Sequence, residues 1–279
     1  MSPTDFAFVQ ELLRREAAID LEAGKEYLVE ARLVPLAAQL GFSGIEALLQ
    51  AIRSGVRLDL KHSVIEAMDV HETSFFRDWR PFEALRTRLL PHLLEARAGT
   101  RELTIWSAAC ASGQEPYSLA MLLRDSFPEL GGWRVRILAT DISRAVLQTA
   151  RAGVYGQLEV NRGLPATLLI KYLDKRGVEW VVRDEIRSMV EFREINLAAA
   201  HTWGWLPRAD LVLLRNVLIY QDLPTRRRVL AGVREVLRPD GWLLMGGAET
   251  TLGIDESFAR VPIEGACAFG LRSETGGGS

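Results

Sequence analysis

The chain has 279 residues, of which 48% are hydrophobic, so it can bury the core of one large domain or of a large and a small one. Its formal net charge of −2 gives no bulk attraction to nucleic acid or to a membrane surface. Residues 1–10 lack the basic start and apolar run of a signal peptide, and no run of about 20 apolar residues follows, so we expect a cytoplasmic protein without membrane insertion.

The few cysteines and histidines predict neither a disulfide framework nor a metal site. Cys110 and Cys267 are too few for a framework and lack metal-ligand spacing, so both are expected to be small core residues. The four histidines are scattered along the chain, at His62, His71, His92 and His201. We therefore expect no bound metal.

The first 70 residues predict a small helical domain, followed by a linker over residues 71–99. Apolar residues recur at helical spacing, and glycines separate the segments. The apolar positions are Phe6, Val9, Leu12, Leu13, Tyr27, Leu28, Leu33, Leu36, Leu40, Leu48, Leu49, Ile52, Val64, Ile65 and Met68. The domain is acidic, with 7 Lys or Arg against 11 Asp or Glu.

Residues 103–119 predict a strand, a tight loop and a helix, in that order. Residues 103–109 are apolar and carry Ile and Trp, as a buried strand does, and Gly113 lets the backbone pass close to a ligand. Pro116 suits a first helical turn, because its missing N–H would have no partner there. This order is typical of a nucleotide-type cofactor loop.

A second predicted strand, over residues 133–140, leads to Asp141, and Ser143 can cap a helix over residues 144–151. Ligands of open α/β sheets bind at the carboxyl ends of the strands, where a carboxylate can accept both hydroxyls of a ribose. Two alternatives stay open. Asp141 could only cap its helix, and Glu115 could be favoured by the helix dipole alone.

The loop carries no phosphate-binding motif. Neither G-x-G-x-x-G nor the Lys-Ser or Lys-Thr pair of a P-loop is present. A loop with one glycine and two acidic candidates, Glu115 and Asp141, suits a cofactor that has an ammonium and a ribose but no phosphate. S-adenosylmethionine (SAM) fits that description.

Strand-like and helical runs alternate over residues 100–272, which indicates a doubly wound, mostly parallel α/β sheet. Further strands are predicted over residues 190–195, 211–214 and 242–245, an edge strand over 266–271, and a helix over 226–237 closed by residues 239–241. Residues 155–188 predict an insertion with a small antiparallel hairpin, and residues 273–279 a disordered tail.

Four motifs follow one another along the chain: Glu72-Thr-Ser-Phe-Phe-Arg-Asp78, AACASGQEPYSLAM over residues 108–121, Ala139-Thr-Asp-Ile-Ser143 and Arg215-Asn-Val-Leu-Ile-Tyr220. In wording and order they resemble the CheR-type chemotaxis receptor methyltransferases. The resemblance implies a SAM-dependent methyltransferase fold with a helical N-terminal domain and a β insertion. It also implies an enzyme that methylates glutamate side chains on the cytoplasmic helices of chemoreceptors.

The resemblance implies particular site residues as well. Arg77 and Tyr220 would be catalytic. The implied cofactor contacts are His71, Thr73, Arg77, Glu115, Asp141, Asn196, Leu197, Arg215 and Asn216. His71 stands where the family usually has asparagine. Each catalytic assignment has an alternative. Arg77 could form an ordinary salt bridge with Asp78, and Tyr220 could be a core residue.

The implied partner is a chemoreceptor, and we expect a monomer. A basic patch of Arg53, Arg57 and Lys61 could face the acidic receptor. The hairpin around residues 174–179 is short, which resembles family members that act without the receptor's pentapeptide tether. A SAM-binding scaffold and a carboxyl methyltransferase of another signalling array stay open, whereas nucleic-acid methylation is disfavoured because no basic stripe with interleaved aromatics is present.

Overall fold

A computed structural model describes residues 1–17, 19–55, 57–69, 71–199 and 203–272. The chain divides into two compact units: Met1–Val70 with Tyr220–Thr225, and His71–Ile219 with Arg226–Ser279. His201 and the tail over residues 273–279 lie outside the described residues. No helix in the described part of the chain is both long and apolar enough to cross a membrane.

The described residues of the first unit form four helices: α1 (Pro3–Ala17), α2 (Glu26–Gln39), α3 (Ile45–Arg53) and α4 (Leu58–Met68). Much of the predicted apolar stripe lies in its core, with Val9, Leu13 and Leu33 fully buried. The prediction was wrong at Tyr27, which is 64% exposed, because α2 buries the face that carries Val29, Leu33 and Ala37. Arg32 ties α2 to the end of α4, because its Nη1 donates to the carbonyl oxygens of Met68 at 2.6 Å and Asp69 at 2.9 Å.

Acidic neighbours engage two members of the predicted basic patch. Arg53 Nη2 lies 2.8 Å from Asp5 Oδ1, and the Arg53 guanidinium lies over the ring of Phe8. Arg57 Nη2 lies 2.6 Å from Asp59 Oδ2. These pairs reduce the net positive charge that the patch can offer to a partner.

In the described part of the second unit, ten strands form two sheets: β1 (Glu102–Ala108), β2 (Arg134–Asp141), β3 (Val154–Gly156), β4 (Leu173–Arg176), β5 (Glu179–Val182), β6 (Val190–Glu194), β7 (Ala209–Leu214), β8 (Leu237–Met245), β9 (Phe258–Val261) and β10 (Cys267–Leu271). The large sheet has the order β6-β2-β1-β7-β8-β10-β9. The pairs from β6 to β8 are parallel, and those from β8 to β9 are antiparallel. The predicted doubly wound, mostly parallel sheet is confirmed.

The helices of this unit are α5 (Arg80–Ala84), α6 (Leu90–Ala96), α7 (Gln114–Ser126), α8 (Arg144–Ala152), α9 (Gln157–Asn161), α10 (Ala166–Tyr172), α11 (Asp184–Arg187) and α12 (Leu223–Val236), the first residues of which cluster with the other unit. A π-helical turn, Leu85–Leu89, joins α5 to α6. Two separate apolar cores form, the larger including the linker phenylalanines Phe75 and Phe76 and the other including Trp106 and Trp203.

The predicted insertion is a small antiparallel sheet with the order β3-β5-β4. Two residues, Gly177 and Val178, join β4 to β5, since Arg176 pairs with Glu179. Gly177 has a φ of +62°, as the first central position of a type II′ turn requires. The hairpin loop is therefore as short as the sequence predicted.

Pro116 lies in the first turn of helix α7, as predicted, although that helix begins two residues earlier, at Gln114. Two other local predictions were wrong. Helix α12 ends at Val236 and is not closed by residues 239–241, which lie within β8. Gly241 is needed there because an added Cβ would lie 2.8 Å from the Asp210 carbonyl oxygen. Strand β10 is not an edge strand, since the unpredicted β9 covers it.

Candidate cofactor and active site

The strand order defines one crevice in the large sheet. From β1 the chain moves to β2 and β6 on one side, and then crosses to β7 on the other side. In open α/β sheets, ligands bind at the carboxyl ends of the strands where the order reverses. The loops that follow β1 and β7 therefore flank the candidate site.

The loop after β1 is tightly constrained. Gly113 has a φ of +94°, and an added Cβ would lie 2.9 Å from the Cβ of Ala150 and 3.1 Å from the hydroxyl of Tyr155. Tyr155 fixes the loop from the insertion, because its hydroxyl donates to the Ser112 carbonyl at 2.7 Å. Ala109 and Ala111 also have positive φ values, of +57° and +47°. This backbone is held in an unusual conformation, as is common where a loop is preorganised for a ligand.

Asp141 is the last residue of β2 and is 5% exposed. Its Oδ2 accepts the Ala111 amide at 2.9 Å, and its Oδ1 accepts the Ser143 amide at 3.0 Å. Ser143 provides the predicted helix cap, since its side chain accepts from Val146 N at 3.3 Å. The side-chain cap of α8 is therefore Ser143. Asp141 links the loop after β1 to the segment that leads into α8.

A buried ion pair joins β7 to the loop after β1. Arg215 Nη1 lies 2.9 Å from Glu115 Oε2, and Glu115 Oε1 accepts the Ser107 hydroxyl at 2.8 Å. Arg215 Nη2 reaches the linker motif, where it donates to the Arg77 carbonyl and to Asp78 Oδ2, each at 2.9 Å. One arginine thus holds three segments that are distant in sequence. Since Glu115 accepts two hydrogen bonds, it is not merely favoured by a helix dipole.

The linker motif is anchored by its phenylalanines and by helix α7. Phe75 and Phe76 are buried, and Phe75 meets Tyr155 edge to face with 5.0 Å between ring centroids. The Phe76 amide donates to the Ser118 hydroxyl at 2.9 Å. Arg77 Nη1 donates to the Glu72 carbonyl at 2.8 Å, whereas Asp78 pairs with Arg215. Arg77 therefore does not form the alternative salt bridge with Asp78.

Two buried polar atoms beside the crevice have no hydrogen-bond partner among the described residues: Arg215 Nε, a donor, and Asn216 Oδ1, an acceptor. A buried polar group left unpaired costs about 1–3 kcal/mol, so such groups often mark a ligand site. A ligand that carries both a carboxylate and an ammonium could pair with both. The methionine part of SAM has this chemistry, so the residues present fit the cofactor.

The other predicted site residues lie on several separate segments. His71 and Thr73 are half-buried and precede the buried part of the linker motif. Asn196 follows β6, and its Oδ1 accepts the Ala198 amide at 2.9 Å, while Leu197 is buried. Tyr220 ends a short 3-10 helix (Leu218–Tyr220), is 42% exposed, and clusters with the first unit. It is therefore not a core tyrosine.

Cys110 lies on the cofactor loop and is 2% exposed. Burial, followed by the charges of Asp141 and Glu115, raises the pKa of its thiol well above the ordinary value. A thiol in that state is a poor nucleophile, so Cys110 is a packing residue, as expected. Cys267 is half-buried, and burial also raises its pKa.

Three residues that hold the site together were not predicted from the sequence: Glu249, Tyr155 and Ser118. Glu249 follows β8 and accepts four backbone amides, including those of Asn216, Val217 and Leu218. The signal available in the sequence was Gly246-Gly-Ala-Glu249 directly after a predicted strand. Nothing in that pattern indicates which backbone amides the carboxylate reaches.

A switch-point crevice, a buried acid at the end of the second strand and the absence of a phosphate motif define the class: a SAM-dependent methyltransferase fold. Two family descriptions match adjoining parts of the chain, "CheR methyltransferase, all-alpha domain" over residues 4–68 and "CheR methyltransferase, SAM binding domain" over residues 71–267. The chain therefore belongs to the CheR methyltransferase family, and its cofactor is SAM.

Individual proteins agree with this assignment. The chain is 40% identical to chemotaxis protein methyltransferase 1 of Pseudomonas aeruginosa, over 92% of this chain and 94% of that protein. It is 37% identical to chemotaxis protein methyltransferase Cher2 of Pseudomonas putida, with the same coverage. Among solved structures, a glycopeptide N-methyltransferase matches with a TM-score of 0.33 at 19% identity, over 56% of this chain and 52% of that one.

Proposed function

We propose that this protein transfers methyl groups from SAM to glutamate side chains on the cytoplasmic helices of chemoreceptors, giving glutamate methyl esters and S-adenosylhomocysteine in chemotaxis adaptation. The names of its relatives in two Pseudomonas species support the chemotaxis role, since the similarity extends over 92% of the chain. The observation that best supports SAM-dependent methyl transfer is the group of residues where the strand order reverses. This group combines the buried Asp141 with the unpaired atoms Arg215 Nε and Asn216 Oδ1.

The reaction requires placement more than acid–base catalysis. A glutamate side chain titrates near pH ~4.3, so at neutral pH it is already an ionised nucleophile and needs no general base. SAM, when bound, would supply a methyl group activated by the adjoining sulfonium. The protein's contribution is to align the carboxylate with that methyl group and to exclude water.

Each predicted site residue has a role in this proposal. Asp141 accepts the ribose hydroxyls, and Arg215 and Asn216 bind the methionine part of the cofactor. Glu115 acts through Arg215, because its carboxylate is engaged by that guanidinium. His71 and Thr73 contact the cofactor from the linker, while Asn196 and Leu197 flank the adenine.

Arg77 and Tyr220 are the proposed catalytic residues. Arg77 offers a planar fork for a carboxylate, either that of the cofactor or that of the incoming glutamate. Its bond to the Glu72 carbonyl leaves other N–H donors of the guanidinium for that purpose. Tyr220, which is 42% exposed, can orient the substrate carboxylate by hydrogen bonding through its hydroxyl.

Incubation with methyl-labelled SAM and cytoplasmic receptor fragments tests the proposal. We expect label on the receptor fragment that alkali releases as methanol, because carboxyl methyl esters hydrolyse in base. Label that resists alkali would indicate N-methylation, and absence of label would favour a SAM-binding scaffold. Label on another acidic protein, but not on receptor helices, would favour a different signalling array.

We further propose that the enzyme acts in the cytoplasm as a monomer and without a receptor pentapeptide tether. The two-residue connection between β4 and β5 supports the last point, because family members that dock a tether carry a longer loop there. We expect no measurable binding of a receptor-tail pentapeptide by calorimetry. A submicromolar affinity would contradict tether independence and leave the methylation proposal intact.

A further inference from the structure

The Glu249 carboxylate is enclosed by backbone amides. Its Oε1 accepts Val217 N at 2.9 Å and Leu218 N at 2.8 Å. Its Oε2 accepts Asn216 N at 2.6 Å and Gly246 N at 2.8 Å. The residue is 6% exposed. All four amides are N–H donors, so each carboxylate oxygen acts as an acceptor for two of them.

The three consecutive amides belong to the segment that carries proposed cofactor contacts. Successive backbone N–H groups that point to one place form an anion-binding concavity. Asn216 has a φ of +58° at the start of this concavity, a conformation that costs a non-glycine residue free energy and persists only where its surroundings hold it. Glu249 supplies the anion that holds it.

Gly246 leaves the space that this carboxylate occupies. An added Cβ at position 246 would lie 2.7 Å from Glu249 Oε2 and 3.0 Å from the amide nitrogen of Asn216. The backbone of Glu249 is also fixed, since its amide donates to the Gly246 carbonyl at 3.0 Å and its carbonyl accepts Cys267 Sγ at 3.3 Å. The acceptor is therefore itself held in place.

We propose that Glu249 is a positioning residue of the methyl-transfer site. By fixing the backbone from Asn216 to Leu218, it sets the direction of the Arg215 and Asn216 side chains and the start of the short helix that ends at Tyr220. It touches neither substrate nor cofactor in this role. The inference rests on the proposed function for its catalytic consequence, but not for its effect on the backbone and on cofactor binding.

The variant Glu249→Gln tests this role with almost no change in side-chain size. A glutamine would aim its NH2 group at two backbone N–H donors, so hydrogen exchange at the amides of Asn216, Val217 and Leu218 should rise at least tenfold. We expect the affinity for S-adenosylhomocysteine to fall about tenfold and kcat about a hundredfold, with the KM for the receptor fragment near that of the wild type. Glu256→Gln is the matched control, because Glu256 is exposed and accepts the Gly253 amide at 3.1 Å.

Two outcomes would overturn the proposal. One is unchanged amide exchange, and the other is faster exchange with wild-type affinity and kcat, which would mean a purely structural role. If Glu249→Gln does not fold, Gly246→Ala provides the test, because its added methyl group displaces the carboxylate without removing it. Amide exchange, S-adenosylhomocysteine affinity and kcat are then measured on that variant. If the wild type methylates no receptor fragment, the proposed function fails, while exchange and S-adenosylhomocysteine affinity still decide the role of Glu249.

Discussion

Replacing Asp141 with alanine should reduce the affinity for S-adenosylhomocysteine more than about a hundredfold. The proposed ribose contacts are two hydrogen bonds to a carboxylate, each contributing about 1.5 kcal/mol or more. Asp141→Ala should also lower the free energy of unfolding by about 1–3 kcal/mol, because the buried Ala111 amide loses its acceptor. Titration calorimetry measures the first effect, and denaturant unfolding of the ligand-free protein measures the second.

The control for this prediction is Asp255→Ala. Asp255 Oδ1 accepts the Ser257 amide at 2.9 Å, which is the same local turn that Asp141 makes with Ser143. Its removal should reduce stability slightly and leave the ligand affinity at the wild-type value. If both variants bound the ligand equally well, Asp141 would be a loop-organising residue only.

The sequence predicted the elements that depend on local pattern. The alternation of runs gave the parallel sheet, and Ser143 before an apolar-periodic segment predicted its cap, since capping depends on residues three positions apart. Asp141 was found because it ends an apolar run. The β9 strand was missed because four residues, Phe258–Val261, are too few to establish an alternating pattern.

The contacts that assemble the site could not be predicted from spacing. Arg215 and Glu115 are 100 positions apart, and Glu249 lies 33 positions from Asn216. Such pairs form only when the strand order brings β1, β7 and β8 side by side. The positive φ of Asn216 is likewise set by its tertiary neighbours, since asparagine adopts several other conformations as readily. Family resemblance gave the positions of several of these residues, but not their contacts.

The variant Arg215→Met should lower the free energy of unfolding by about 3–5 kcal/mol and abolish measurable methyl transfer. It leaves the Glu115 carboxylate buried without its cation, and an uncompensated buried charge strongly reduces the free energy of unfolding. It also releases the linker motif, because Asp78 and the Arg77 carbonyl lose their common donor. Denaturant unfolding and the labelled-SAM assay measure the two effects.

Adding Glu115→Gln to Arg215→Met should separate stability from function. Glutamine carries no charge and can still accept the Ser107 hydroxyl, so the double variant should recover most of the lost stability while methyl transfer stays absent. The matched control is Arg97→Met. In the wild type, Arg97 Nε lies 2.6 Å from Oδ1 of the buried Asp210. Asp210 is near the start of β7, at the opposite end of the strand from the site. Arg97→Met should destabilise the protein less than Arg215→Met, because Arg238 Nε remains 3.2 Å from Asp210 Oδ1, and keep wild-type kcat wherever it is folded. Recovery of activity in the double variant would mean that Arg215 supports the fold and takes no part in cofactor binding.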